Sequence, residues 1–411
     1  MNNTIDQSFI PKDWEKRTNI ITVIGVGGGG GNAVNYMQTQ GIKDVDYVVC
    51  NTDSQALESS PVAHKVQLGE KGLGAGTEAA VGRKAAESSV DDLAQLFKGS
   101  IEMAFITCGL GGGTGTGAAP IIAEVARKAN KLTVGVVTLP FRDEGEEALE
   151  RAVEGIKDLN GQVDSILIID NQKLYDIYPT LDIFSAFHKA DEVLCTAVKS
   201  IAEIITKSGY INADFADVKR VMANSGVAMM GMGRAQGENR AIKAVESALQ
   251  SPLLNNLDLS SAKNAIVNIT CSGEEGRALR AEELGQIMEE VRARIGSTKA
   301  FKRGLVRDDS MGDEISVTVI ATGFAMTQLP VLSQRRKNVI SITAKSFAPK
   351  RGTPVYPEEE IRVNRKLRFE GVPSLITESQ EELNQLAEEP AFNRRERLIN
   401  ARQTDKEEQT V

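Results

Sequence analysis

The chain has 411 residues, 41% of them hydrophobic, which is enough for two globular domains and a tail. Aromatic residues make up only 5%, so the core is expected to be aliphatic. The formal net charge of −8 argues against nucleic-acid binding, and no apolar run reaches the ~18 residues of a membrane span.

Residues 1–18 form a polar N-terminal extension without the apolar stretch of a signal peptide, so the expected compartment is the cytoplasm. The four cysteines, Cys50, Cys108, Cys195 and Cys271, lie far apart with no C-x-x-C, and they read as small core residues. Residues 19–183 alternate short apolar runs (20–26, 47–51, 103–108, 132–139 and 165–170) with helical patterns (79–87, 118–128 and 144–159). That alternation predicts an α/β domain whose parallel sheet is covered by helices on both faces. Ligands of such sheets bind beyond the carboxyl ends of the strands.

Two glycine-rich segments stand at strand ends of this kind. The first, Gly25-Val-Gly-Gly-Gly-Gly-Gly-Asn32, supplies Gly28, Gly29, Gly30, Gly31 and Asn32. It contains G-x-G-x-x-G, and Asp53, just after the run at 47–51, mimics the acidic ribose ligand of a dinucleotide site. A nicotinamide-dependent dehydrogenase is therefore one reading. The second, Gly111-Gly-Gly-Thr-Gly-Thr-Gly117, follows the run at 103–108. Its Gly112, Gly113, Gly115 and Gly117 let successive N–H groups converge, and Thr114 and Thr116 add hydroxyls. One pyrophosphate needs one such cradle, and two predict a longer phosphate tail gripped from two sides. No G-x-x-x-x-G-K-[ST] occurs, so a lysine-based phosphate loop is excluded by pattern.

Residues 184–211 hold a long helix and its connection, with Phe187, Ala190, Val193, Leu194, Ala197, Val198, Ile201 and Ile204 recurring at helical spacing. Asp214 and Asp217 stand three apart at the start of a further helix and share a face. Spacing alone reads them as an N-cap and a first-turn acid. A second, smaller α/β domain is expected over 212–324, with strands near 265–270 and 315–322. His64 and His188 are the only histidines, and no Ser-His-Asp pattern can be built from them. Residues 325–388 hold five prolines and read as a linker, with a possible strand at 339–343. Charge segregates here: 335–369 carries ten Lys/Arg against three Glu, and 370–411 five against ten acids. The tail is expected to be mostly disordered.

The second glycine segment is the signature of the tubulin and FtsZ superfamily. Together with Gly25 to Asn32, Asn51-Thr-Asp53, Pro140-Phe-Arg-Asp-Glu-Gly145 and Asn212-Ala-Asp-Phe-Ala-Asp217, in family order from about 19 to 324, it resembles the FtsZ family of division GTPases. The resemblance implies GTP or GDP with Mg2+, phosphates between 28–32 and 112–117, and a γ-phosphate-sensing loop at Gly72-Leu-Gly-Ala-Gly76. It implies Glu144 on the ribose and Asn171, Phe187 and Asp191 on guanine, although spacing alone reads Phe187 as a core aromatic. It makes Asn212, Asp214 and Asp217 the catalytic set, acting on the nucleotide of a neighbouring subunit in a head-to-tail polymer. The segment from Pro390 to Leu398, within the tail 389–411, resembles a short peptide that binds membrane tethers, with Asn393 where the family often has Leu. The implied location is the cytoplasm at the division site. One departure stands out. The family arginine four residues after the ribose glutamate is replaced by Ala148, and Arg151 lies about one helical turn further on. A nucleotide-binding filament paralogue with little hydrolysis is the alternative that Ala148 keeps open.

Overall fold

The computed structural model describes residues 8–9, 19–178, 180, 182–206, 214–251, 258–296 and 298–325. Asn212, the linker and the C-terminal peptide lie outside the described residues.

β1 (Ser8–Phe9) is followed by β2 (Ile21–Val26), α1 (Gly27–Thr39), β3 (Val45–Asn51), α2 (Ser54–Ser59), β4 (His64–Gln67), α3 (Ala79–Ser88) and α4 (Val90–Gln95). Next come β5 (Met103–Gly109), α5 (Gly113–Lys128), β6 (Leu132–Leu139), α6 (Glu146–Asn160), β7 (Ser165–Asp170), α7 (Asn171–Ile177) and the long α8 (Ile183–Thr206). The second half holds α9 (Phe215–Met222), β8 (Gly226–Ala235), α10 (Arg240–Leu249), β9 (Asn264–Cys271), α11 (Ala281–Ile295), β10 (Ala300–Arg307) and β11 (Ile315–Phe324).

Among the described residues, 11 strands form one sheet in the order β1-β4-β3-β2-β5-β6-β7-β8-β11-β9-β10. The ladder is parallel from β4 through to β8, and β11 runs antiparallel to both β8 and β9. The central strands read as near-continuous Val/Ile/Thr runs because both faces are covered, and β2 and β6 are buried along their whole length. Side chains alternate between two cores. In β2, Ile24 and Val26 pack with α5 and α6 residues such as Ile122 and Ile156, whereas Ile21 and Val23 pack with Val34 of α1 and Val198 and Ile201 of α8. All four cysteines are buried and unbridged, and burial pushes the Cys108 thiol up to about 12.

The two halves of the sheet meet along a short seam. β7 and β8 share three residue pairs, Ser165 with Gly226, Ile166 with Val227 and Leu167 with Ala228. Asp164 staples the seam at its lower end. Its carboxylate accepts from the Thr133 and Asn224 amides, and its carbonyl from those of Ser225 and Gly226. In the second half, buried Arg240 donates two bonds to Glu283 (2.8 and 3.1 Å) and others to the carbonyls of Arg277, Ala278 and Asp313. Burial alone would raise the Glu283 carboxyl; the bonds from Arg240 and the Arg280 amide hold it down at about 2.

The glycine segments are largely helical. α1 begins at Gly27 and α5 at Gly113, so most of both segments is the first turn of a helix. The reason is contact. A Cβ on Gly30 would overlap the Thr107 carbonyl, and one on Gly115 the Gly109 carbonyl, so both helix starts lie directly on strand ends. α3 meets α5 the same way, Gly117 against the Ala79 carbonyl and Gly82 against that of Gly113 (2.5 Å from the added Cβ). The helix expected at 144–159 starts two residues later, because Arg142–Glu144 closes a separate 3-10 turn.

Gly117→Ala would force a methyl into the Ala79 carbonyl, between two backbones that cannot both stay in place. The expected loss is about 3 kcal/mol, read as a lower thermal midpoint together with weaker nucleotide binding as α3 shifts. A variant melting with the parent would refute the backbone contact.

Candidate nucleotide site

The end of the site expected to hold phosphates is built from backbone. α1 and α5 start side by side at the carboxyl ends of β2 and β5, and an added Cβ on Gly27 would lie 2.9 Å from the Gly115 amide nitrogen. Neither helix has a side-chain cap or an acid in its first turn, so the leading N–H groups and the positive end of each helix dipole stay available to an anion. Added carbons at Gly28, Gly31 and Gly112 would meet nothing within 4 Å, which leaves open space over both starts. The threonines brace the cradle. Thr116 Oγ1 accepts from the Gly111 amide at 2.9 Å, and Thr114 Oγ1 shares a 2.6 Å bond with Thr52 at the end of β3. Both hydroxyls thus have partners inside the fold. Beside them runs the 72–76 segment, in which Gly72, Gly74 and Gly76 all take positive φ, and Asp53 forms an isolated bridge with Leu73.

The other end of the site is built from side chains. Phe187 on α8 is 48% exposed, so it presents a ring face where spacing alone predicted a core aromatic. Phe141 stands edge-on to it (5.2 Å between centroids, 86°) and stacks on Tyr175 at 4.5 Å. Glu144 Oε1 accepts from the Phe141 amide at 2.8 Å, so one residue braces both the expected ribose acid and the expected base platform. The Pro140 to Gly145 motif carried that signal, but only tertiary contact reveals the Phe141 role. Asn171 opens α7, is buried, and its Oδ1 has no hydrogen-bond partner, which a ligand donor would satisfy. On α8, one turn after Phe187, burial raises the Asp191 carboxyl to about 6, partly offset by His188.

Asp53 and the paired acids lie differently. Asp53 accepts from the Gln55 and Ala56 amides as the N-cap of α2, so its carboxylate already serves a helix and not a ribose. Asp214 is the N-cap of α9, accepting from the Asp217 amide at 2.8 Å, which is the arrangement that spacing alone predicted. Asp217 forms an ion pair with Lys302 of β10. α9 itself sits at the far edge of the sheet. Asn264 Nδ2 and Thr322 Oγ1 donate to its Val221 carbonyl, and the chain after it bonds Asp164 below β7. The structure therefore brings residues 28–32, 112–117 and the 72–76 segment together, and separates them from Asp214 and Asp217.

Residues 20–179 match the family model for the Tubulin/FtsZ family GTPase domain, and residues 226–325 that for the FtsZ family C-terminal domain. The chain is 44% identical over 349 residues to the cell division protein FtsZ of Pseudomonas aeruginosa, covering 84% of this chain and 86% of that protein. It is 48% identical over 307 residues to the FtsZ of Coxiella burnetii, covering 74% and 78%. This chain belongs to the FtsZ family. A solved FtsZ dimer from M. jannaschii superposes with a TM-score of 0.70 at 40% identity, covering 75% of this chain and 89% of that one. The first half is thus an FtsZ-type GTPase domain, and the dehydrogenase reading falls with it. Against the FtsZ pattern, Ala148 is buried on α6, with its carbonyl 3.0 Å from a Cβ added to Gly111. Arg151, one turn on, donates from Nε to the Gly111 carbonyl at 2.7 Å. It thereby holds the carbonyl of Gly111, and Thr116 holds the amide of the same glycine.

The guanine-accepting role that the resemblance implies for Asp191 requires an ionised carboxylate. With Asp191 near 6, GDP affinity should be flat above about pH 7 and fall about tenfold by pH 5, as the protonated form takes over. Asp191→Asn should flatten this profile. Titration with GDP between pH 5 and 7.5 decides it; the same slope in both proteins would move Asp191 off the base.

Proposed function

We propose that this chain is an assembling GTPase that polymerises head to tail, hydrolyses GTP at the contact between subunits and forms the filament of a cytokinetic ring at the division site. The separation of the two ends of the sheet carries this reading. Phe187 and Thr206 lie 19 residues apart on α8, about 28 Å. β5 and β7, of seven and six residues, add a depth of about 20 Å between the glycine starts and the edge where α9 sits. Asp214 cannot reach the phosphates of its own chain, yet an identical subunit stacked below a nucleotide end would bring its acids there. Such a contact is heterologous and does not close, so it generates filaments.

The residues divide the nucleotide between them. Backbone amides at 28–32 and 112–117 hold the phosphates, Glu144 the ribose, and Asn171, Phe187 and Asp191 the guanine. The N1–H and 2-amino group of guanine are donors that a carboxylate accepts and that adenine lacks. Magnesium would supply charge neutralisation on the triphosphate when bound, carried by the phosphates and water, since no His/Cys/Asp/Glu cluster able to hold a metal occurs among the described residues. Asp214 and Asp217 polarise the attacking water. Acids held permanently against a triphosphate would repel it; acids delivered by assembly make turnover depend on the polymer. The tail segment 390–398, outside the described residues, would bind a membrane tether. No described helix is long and apolar enough to cross a membrane.

Phosphate release from GTP with magnesium, followed across protein concentration, is expected to vanish below a threshold. A rate per molecule that does not change with concentration would sink the shared site. Asp214→Asn keeps a capping oxygen for α9, so it tests chemistry with the fold retained. It should lose at least ~100-fold in turnover while binding GTP normally. Near-normal turnover would leave Asp214 as a cap alone.

A further inference from the structure

Asp217 has a partner that the shared-site reading does not explain. Its Oδ1 is paired with Lys302 Nζ, and the side chains are 28% and 33% exposed, so the pair is half-buried where α9 meets β10. Both ends are fixed by backbone. Asp217 occupies the first turn of α9 behind its Asp214 cap, and Lys302 is held in the parallel ladder opposite Ile266. Phe301 and Leu305 on β10 pack into one core, and Lys302, between them in sequence, faces the other way. The other lysine near the acids, Lys219, lies over the Phe215 ring at 5.9 Å.

The fold does not need this pair for cohesion. β10 is already bonded along eight residues to β9, and α9 is tied down by Asn264 and Thr322. The charge matters elsewhere. Two carboxylates brought up to a triphosphate repel it, and one fixed ammonium reduces the charge of the acid pair from −2 to −1. We propose that Lys302 is a positioning residue for Asp217, holding its carboxylate and screening it so that the acid-bearing end of one subunit can dock on the polyphosphate of the next. This rests on the shared site proposed above.

The test uses the full chain with magnesium and a slowly hydrolysed GTP analogue, so that turnover does not set the assembly threshold. Lys302→Met keeps the apolar stem and should raise the critical concentration about fivefold at low salt, with the difference shrinking as salt rises. Lys302→Arg should assemble within about twofold of the parent. Asp217→Asn combined with Lys302→Met should return to the parent threshold, because the charge that needed screening is gone. Analogue binding below the threshold and thermal midpoints should match the parent throughout. A Lys302→Met chain that assembles like the parent, or a double variant as impaired as Lys302→Met alone, would overturn the role of Lys302 and leave the shared site standing. A parent chain that never assembles would overturn both.

Discussion

Backbone lying directly on backbone is the constraint on which this structure depends. α1 and α5 can start at the strand ends only because Gly30 and Gly115 bring no Cβ to the carbonyls of Thr107 and Gly109. α3 can lie against α5 only because Gly82, Gly113 and Gly117 are bare. These contacts set two uncapped helix starts beside each other and bring the 72–76 segment to them. Larger residues would push the helices outward and leave the dipoles pointing at no common place.

From that constraint follows a division of labour along the site. The end proposed to hold the phosphates is made of main-chain donors, whose positions follow from helix geometry and whose charge does not titrate. The end proposed for the base is made of side chains that need support from neighbours, and it receives it: Phe141, stacked on Tyr175, stands against Phe187, burial raises the Asp191 carboxyl, and Asn171 keeps one oxygen without a partner. Binding strength can therefore reside in the first part and discrimination among bases in the second.

Much of this was legible in the sequence, for physical reasons. A strand buried on both faces must read as an apolar run, so the central strands declared themselves, as did the 24 residues of α8 through their helical spacing. The glycine segments stood out at the strand ends, but their helical form did not, because glycine is a poor helix former in isolation. Only the carbonyls of Thr107 and Ala79, remote in sequence, explain why glycine is required inside a helix. The bond of Arg151 to Gly111, the bidentate grip of Arg240 on Glu283 and the pairing of Lys302 with Asp217 were hidden for the same reason. Each joins residues with no periodic relation, and a charge on a strand or helix looks alike whether its partner is water or a distant carboxylate. The cap at Asp214 is a local interaction, and there spacing alone was sufficient.

The seam between β7 and β8 has a mechanical consequence. A plate scored along a short line folds at the score before it bends anywhere else. Here the score is three residue pairs long, flanked by the full ladder of β6 on β7 on one side and the ten-residue strands β8 and β11 on the other. Asp164 ties its lower end by accepting from the Asn224, Ser225 and Gly226 amides, while above Leu167 the two strands no longer pair. Among the described residues, strand pairing between the two halves of the sheet is thus confined to this short line. Beyond Leu167, β7 runs on to Asp170 without pairing to β8, so the three-pair ladder stops short of the residues that lead into Asn171.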